Sequence, residues 1–343
     1  MLPLKVLVTG HHGYLGSVTG PALVAAGHDV TGLDTGFYRG CDLGPVPNAV
    51  PTLDLDVRDV SAEDLRGLDA VVHLAGLSND PLGDLDPELT REINFRATVQ
   101  LARAAREAGV SRFLFASSCS MYGASEQERV TEDVPLQPLT AYAESKVRSE
   151  EALDELADDD FSPVFMRFAT VHGVSPRLRI DLVLNNLVGW AFTTGAVRIL
   201  SDGTPWRPVI HVADVADAVL ALLEAPRPAV HGQPFNVGVD GENYQVRDLA
   251  ELAREAVPGS SVEYGSASDP DPRSYRVDFG KLRRVLPGLE LRRTASQSAQ
   301  ELHDAYQSAG LTFEEFEGPR FTRLKRLQGL LGEGELGEDL RWR

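Results

Sequence analysis

The chain has 343 residues and a formal net charge of −18, with 33 Lys and Arg against 51 Asp and Glu. No basic stripe is present to neutralise phosphates, which argues against a nucleic-acid partner, and no apolar run reaches bilayer length, which argues against a membrane partner. The two cysteines, Cys41 and Cys119, make no disulfide framework and fit reduced thiols, so a cytoplasmic location is expected.

The N-terminus, MLPLKVLVTG, reads as entering a core strand at once, so no signal peptide is expected. Residues 6–9 are a strand of buried type, glycines follow at 10, 13 and 16, and residues 14–26 carry a helix pattern that stops at Gly27. Strand, tight loop and helix in this order let backbone come close to a pyrophosphate, with free N–H groups at the helix start. A plain strand-to-helix turn can also hold glycines; the flanking strand and helix favour the dinucleotide reading. A second strand, 28–34, ends on Asp34. An acid about 20 residues past such a loop accepts hydrogen bonds from the ribose hydroxyls and repels a 2′-phosphate, which favours NAD over NADP.

Residues 39–51 read as a Gly- and Pro-rich loop, followed by a short strand at 50–53. Beyond it, Asp56 is placed either against an adenine amino group, with Val57 beside the ring, or in a solvated acidic turn. The run DAVVHLA at 69–75 is a buried strand, residues 87–108 form a helix stopped by Gly109, and RFLFAS at 112–117 is a further core strand. Strands alternating with helices predict a parallel sheet covered on both faces, with ligands at the carboxyl ends of the strands, at Gly10, Asp34, Ala75 and Ser117. Tyr142 and Lys146 are four apart and share one helix face. An ammonium beside a phenol eases loss of its proton, which makes Tyr142 a candidate acid/base and Lys146 its tuner.

Past residue 160 the alternation loosens. A strand at 161–169, helices at 181–194 and 213–223, and a loop at 265–272 are expected, with an amphipathic helix at 316–331 and a loose polar stretch at 332–339. The expected division is a dinucleotide-binding domain over 1–170, rejoined by later segments, a substrate-binding lobe over 171–315 and a helical tail over 316–343.

The chain resembles the extended short-chain dehydrogenase/reductases, in the NAD-dependent nucleotide-sugar epimerase/dehydratase group. The matching pieces are Gly10, Gly13 and Gly16, Asp34, Asp56-Val57, His73-Leu74-Ala75-Gly76, Asn94, residues 117–123, Tyr142 with Lys146, Arg167, and Arg207 in WRPVIHVADVADA. The resemblance implies an α/β fold, a Rossmann-type doubly wound parallel sheet with a smaller C-terminal substrate-binding lobe. It implies NAD held by Gly10, Gly13, Tyr14, Leu15, Gly16, Asp34, Asp56, Val57, Leu74, Ala75, Gly76, Asn94, Ser117, Tyr142 and Lys146. His12 and Tyr14 are given backbone roles only. Ser118 would hydrogen-bond the reacting sugar hydroxyl, Tyr142 would take its proton, and a hydride would pass to NAD and return on the other face of a transient 4-keto sugar. The substrate side is assigned to Ser78, Ser118, Cys119, Thr170, Asn186, Arg207 and Arg273, and no metal is expected.

The departures from the family carry as much information. Where 4,6-dehydratases have Asp and Glu after the catalytic Thr or Ser, this chain has Cys119 and Ser120. That argues against dehydration, and the Ser120 position against sugar-acid decarboxylation. Cys119 is either a ring-epimerisation acid/base or a small packed thiol. Thr170 and His172 replace an Asn and a Tyr of the family, and Ser268 an Arg for which Arg273 would substitute, so the nucleotide base stays open. The expected function is a nucleotide-sugar 4-epimerase with a nucleotide-diphosphate sugar as partner, working as a homodimer. The alternatives are a 4-ketoreductase or dehydrogenase on an activated sugar, and a non-catalytic NAD-binding scaffold.

Overall fold

A computed structural model describes residues 2–44, 50–78, 86–125, 127–199, 201–265 and 273–343; part of the 39–51 loop, most of the 265–272 loop and Ser268 lie outside them. The strands are β1 (Lys5–Thr9), β2 (Asp29–Asp34), β3 (Thr52–Asp54), β4 (Ala70–His73), β5 (Arg112–Ser118), β6 (Ser162–Phe168), β7 (Thr170–His172), β8 (Ala196–Ile199), β9 (Trp206–His211), β10 (Gln233–Val237), β11 (Asn243–Gln245) and β12 (Ser261–Tyr264). The main helices are α1 (Gly16–Ala25), α2 (Ala97–Glu107), α3 (Ala141–Asp154), α4 (Val183–Thr194), α5 (Val212–Glu224), α6 (Val246–Ala256), α7 (Ala295–Ala309) and α8 (Arg323–Gly332).

Seven parallel strands form the main sheet in the order β3-β2-β1-β4-β5-β6-β10. The fold is the Rossmann-type doubly wound sheet. The order in which strands are added reverses between β1 and β4, which opens a crevice at their carboxyl ends. Alternate residues serve opposite faces. Val6, Val8, Val72, Leu114 and Val164 pack with Leu23 of α1 and Val215, Val219 and Leu222 of α5. Leu7, Val71, Phe113, Phe115 and Phe165 pack with Leu101 and Ala105 of α2 and Leu153 of α3. Each such side chain contributes roughly 1.5–3 kcal/mol on burial, and burial on both faces makes these strands continuous apolar runs in the sequence.

The second lobe holds a three-stranded sheet, β11-β9-β7, and the pair β8-β12. Leu184, Leu187 and Val188 of α4, Leu249 and Ala253 of α6, and Leu302 and Tyr306 of α7 form its core. The single helix expected over 316–331 is instead two pieces, Phe313–Glu317 and α8. Gly318 and Pro319 lie between them, and a proline removes the N–H that a continuous helix needs. α8 returns to the first lobe, where Leu327 and Leu330 pack with Phe37, Leu77 and Ile93. Residues 332–339, expected to be loose, are tied down. Leu336 and Leu340 are buried in the same cluster, and Gly337 N–H donates to the Arg341 carbonyl at 2.8 Å. Among the described residues no helix is long and apolar enough to cross a membrane.

Candidate active site

A cleft of about 560 Å³ runs across the carboxyl ends of β1, β2, β4, β5 and β6. At one end the β1–α1 turn is built by its glycines. Gly10 has φ +69°, and a Cβ there would lie 2.8 Å from the Ala75 backbone at the end of β4. A Cβ on Gly16 would lie 2.3 Å from the Gly10 carbonyl oxygen. The two glycines thus let strand, turn and helix close on one another. Leu15, at the N-cap, supplies no side-chain cap to α1, and of the first-turn N–H groups those of Ser17 and Val18 donate to the Gly13 and Leu15 carbonyls at 3.1 Å.

Asp34 ends β2 in the cleft. One carboxylate oxygen accepts from His12 N–H at 3.1 Å and the other from Gly36 N–H at 2.8 Å, which locks the β2 exit to the glycine turn. Asp56 also lines the cleft, but Arg58 grips both its oxygens, at 3.0 and 2.7 Å. Gly10, Gly13, Tyr14, Leu15, Gly16, Val57, Leu74, Ala75, Gly76 and Ser117 line it too. Asn94 does not. It sits in a π-helical turn, Arg91–Arg96, and holds Leu77 through paired hydrogen bonds of 2.7 and 2.9 Å. Tyr14 does more than lend its backbone: its hydroxyl donates to the Gly173 carbonyl at 2.7 Å and ties the turn to the second lobe.

At the other end, Thr140 caps α3, and the first two turns of that helix carry Tyr142 and Lys146 into the cleft. Lys146 is buried. Its ammonium donates to the Ala116 carbonyl at 2.7 Å and lies 4.7 Å from the Phe115 ring centre and 5.7 Å from that of Tyr142. Burial pulls its pKa down from 10.5 to about 8, with Glu150 opposing. Ser118 closes β5 and caps the turn Cys119–Tyr122. Its Oγ accepts from Ser120 N–H at 3.1 Å and donates to Ser120 Oγ at 2.9 Å.

Two residues expected on the substrate side are absent from the cleft lining. Cys119 is 1 % exposed, and its thiol donates to the Arg167 carbonyl within the core. Burial raises its pKa, so it is a packed thiol and not an accessible acid/base. Asn186, on α4, is half-buried and lies outside that lining. Its neighbour Asn185 is the buried one, bonding Gly173 N–H at 3.0 Å and the Arg179 carbonyl at 2.9 Å. Arg167 is structural: it pairs with Glu150 at 2.6 Å and donates to the Tyr122 hydroxyl at 3.1 Å. Tyr122 in turn donates to Asn236 Oδ1 at 2.6 Å, so the network braces the turn that bears Ser118. His172 is buried 5.7 Å edge-on from His211, and burial holds its pKa at about 3.

The cleft brings Ser78, Thr170, Arg207 and Arg273 together with the catalytic candidates. Arg207 donates to the Trp206 carbonyl at 2.8 Å and to the Arg273 carbonyl. Sequence reasoning missed Tyr38, Arg179, Asp181 and Arg323, all of which line it. The charged spacing Arg177, Arg179, Asp181 directly after β7 was the available signal for two of them; nothing local marks Arg323.

Fold and cleft together define a Rossmann-type dinucleotide-binding protein, and the glycine cradle and cleft-lining guanidiniums fit a dinucleotide. The chain belongs to the NAD-dependent epimerase/dehydratase family, whose profile matches residues 6–238. It is 32 % identical over 267 residues to a UDP-glucose 4-epimerase of Corynebacterium glutamicum, covering 74 % of this chain and 80 % of the relative. MoeE5, solved with UDP-glucuronic acid and NAD, is 27 % identical with a TM-score of 0.77, covering 89 % of this chain and 99 % of that one. The Thermus thermophilus UDP-glucose 4-epimerase, solved with NAD, is 25 % identical with a TM-score of 0.75, covering 89 % and 100 %.

Proposed function

We propose that this protein is an NAD-dependent nucleotide-sugar epimerase that inverts C4 of the sugar. The observation that carries the reading is the gathering of Ser118, Tyr142 and Lys146 in one cleft with the glycine turn, with Cys119 and Ser120, neither a carboxylate, at the two positions after Ser118. Gly10, Gly13, Gly16, Asp34 and Asp56 would hold the dinucleotide. NAD, when bound, supplies hydride acceptance and hydride return at its nicotinamide. The protein does the rest. Ser118 orients the C4 hydroxyl. Tyr142 takes its proton and later gives one back. Lys146 carries its charge in a buried setting beside Tyr142, where little water screens it, and this favours the phenolate. Ser120 offers no general acid or base for expelling a hydroxyl, so elimination of water is not supported.

Arg207 and Arg273 suit a diphosphate at the substrate end, since a guanidinium matches phosphate geometry. The named relatives act on or bind UDP-sugars, which makes these the first substrates to test. The division into a 1–170 cofactor unit, a 171–315 substrate lobe and a 316–343 tail belongs to this proposal. So does a homodimer through the outer faces of α2 and α3, where Val99 and Val147 are half-buried, and a cytosolic location, which suits two buried free thiols.

The test is incubation with UDP-glucose, UDP-galactose and UDP-glucuronic acid without added cofactor, with Tyr142→Phe alongside. Epimerised product from the native chain, and about 10²–10⁴-fold less from Tyr142→Phe, supports the proposal. Turnover only with stoichiometric consumption of added NAD contradicts it in favour of a dehydrogenase.

A further inference from the structure

α8 carries Arg323 from the C-terminal segment into the cofactor cleft, well outside residues 6–238 covered by the family profile. The side chain is 2 % exposed. Its guanidinium lies 4.1 Å from the Tyr38 ring centre, and Nη2 donates to the Arg177 carbonyl at 2.9 Å. Nη1 is buried and has no hydrogen-bond partner among the described residues. Arg177 and Arg179 stand beside it, and each already has its own carboxylate. Arg177 pairs with Asp42 at 3.2 Å, and Arg179 chelates Asp181 at 2.9 and 3.1 Å while Nη1 donates to Ser78 Oγ at 2.9 Å. Among the described residues, three guanidiniums therefore face the two carboxylates that pair with them. Burial pulls Arg323 down to about 10 against the opposing pull of Tyr38 and Asp181, and a buried donor without an acceptor is costly. Among the described residues the cluster is one anion short.

The position of the Arg323 Nη1 donor along the cleft identifies the anion. Tyr38 lies four residues beyond Asp34, at the ribose end of the cleft. Ser78 lies just past β4, toward Tyr142. Gly13 to Gly16 line the same cleft. The stretch between the two ends is where a dinucleotide spanning from Asp34 to Tyr142 carries its diphosphate. We propose that Arg323, supported by Arg179, completes a diphosphate subsite for the cofactor, so that the C-terminal segment clamps NAD from the side opposite the glycine turn. Retention of NAD between turnovers is then a property of the tail as well as of the first lobe. The inference rests on NAD as the cofactor and not on the sugar reaction.

The test titrates cofactor-free full-length protein with adenosine, ADP, UDP and NAD by calorimetry. Arg323→Gln is expected to weaken ADP and NAD by about tenfold or more and to leave adenosine and UDP within about twofold. Lys325→Gln, on the exposed face of the same helix, changes none of them. Unchanged ADP binding overturns the proposal. So does an equal loss for adenosine, which would mean a merely structural role, and so does a loss for UDP alone, which would assign the subsite to the substrate. Should Arg323→Gln not fold, Arg323→Lys carries the test, because it keeps the charge and loses the fork. ADP weakened with adenosine unchanged supports the clamp, and ADP unchanged overturns it. No sugar enters these titrations, so failure of the epimerase reading cannot be mistaken for failure of the clamp.

Discussion

Replacement of Lys146 by Met separates the stability cost of this side chain from its use. In the folded protein burial lowers the Lys146 pKa from 10.5 to about 8, whereas the unfolded chain keeps the ordinary value. Between pH 8 and 10.5 the unfolded chain therefore binds more protons than the native one, and stability must rise with pH across that window. A fall of this size corresponds to about 3 kcal/mol. Below pH 8 the full cost is present; above 10.5 it has gone. Lys146→Met removes the titration and keeps an apolar stem against Phe115. It also leaves the Ala116 carbonyl without its 2.7 Å donor, a loss of roughly 1–3 kcal/mol that is independent of pH. Urea denaturation of cofactor-free protein at pH 7.5, 9 and 10.5 measures both effects. The native protein should gain about 3 kcal/mol relative to Lys146→Met between the extremes. Parallel pH–stability curves would refute the reasoning, because they would mean that Lys146 is not held below its ordinary pKa by burial.

Three other substitutions probe the rest of the site. Cys119→Ala should leave turnover within about threefold and cost about 1 kcal/mol in urea denaturation, since the thiol packs in the core; a loss of turnover by two orders of magnitude would restore the thiol to the chemistry. Glu150→Ala strands the buried Arg167 and should cost about 3–5 kcal/mol of stability in the same assay, with a result under 1 kcal/mol contradicting the bracing role of the network. Asp34→Asn removes the charge that repels a 2′-phosphate and gives up one of the two backbone N–H bonds that Asp34 accepts, so the ratio of NADP to NAD affinity should rise by about tenfold; calorimetry showing no change in the ratio would place the selectivity elsewhere.

The first lobe was legible because parallel strands buried on both faces announce themselves as apolar runs, as in β1, β4 and β5, each followed by small or polar residues at its ligand-facing end. The glycine turn, Asp34 and the Tyr142–Lys146 spacing were readable for the same local reason. In the second lobe the helix at 183–194 was legible, but the strands β7, β11 and β12 were not, since they are three or four residues long and too short for a period to register. Single-residue errors had a geometric cause. Asn185 and Asn186 are neighbours, but one step along a helix turns the side chain by about 100°, and only Asn185 faces the interior. Cys119 sits between Ser118 and Ser120, which both line the cleft, yet its thiol faces the core. Arg323 was invisible because its place depends on the break at Gly318 and Pro319, which sends α8 back onto the first lobe.

The central claim is that hydride leaves C4 of the sugar and returns to the same carbon within one closed cleft. Incubation of the purified protein with UDP-glucose carrying deuterium at C4, without added cofactor, tests it directly by mass spectrometry and NMR. The account predicts UDP-galactose that retains deuterium at C4, with no net accumulation of reduced cofactor. Loss of the label to solvent, or one reduced cofactor formed for each sugar converted, would contradict it.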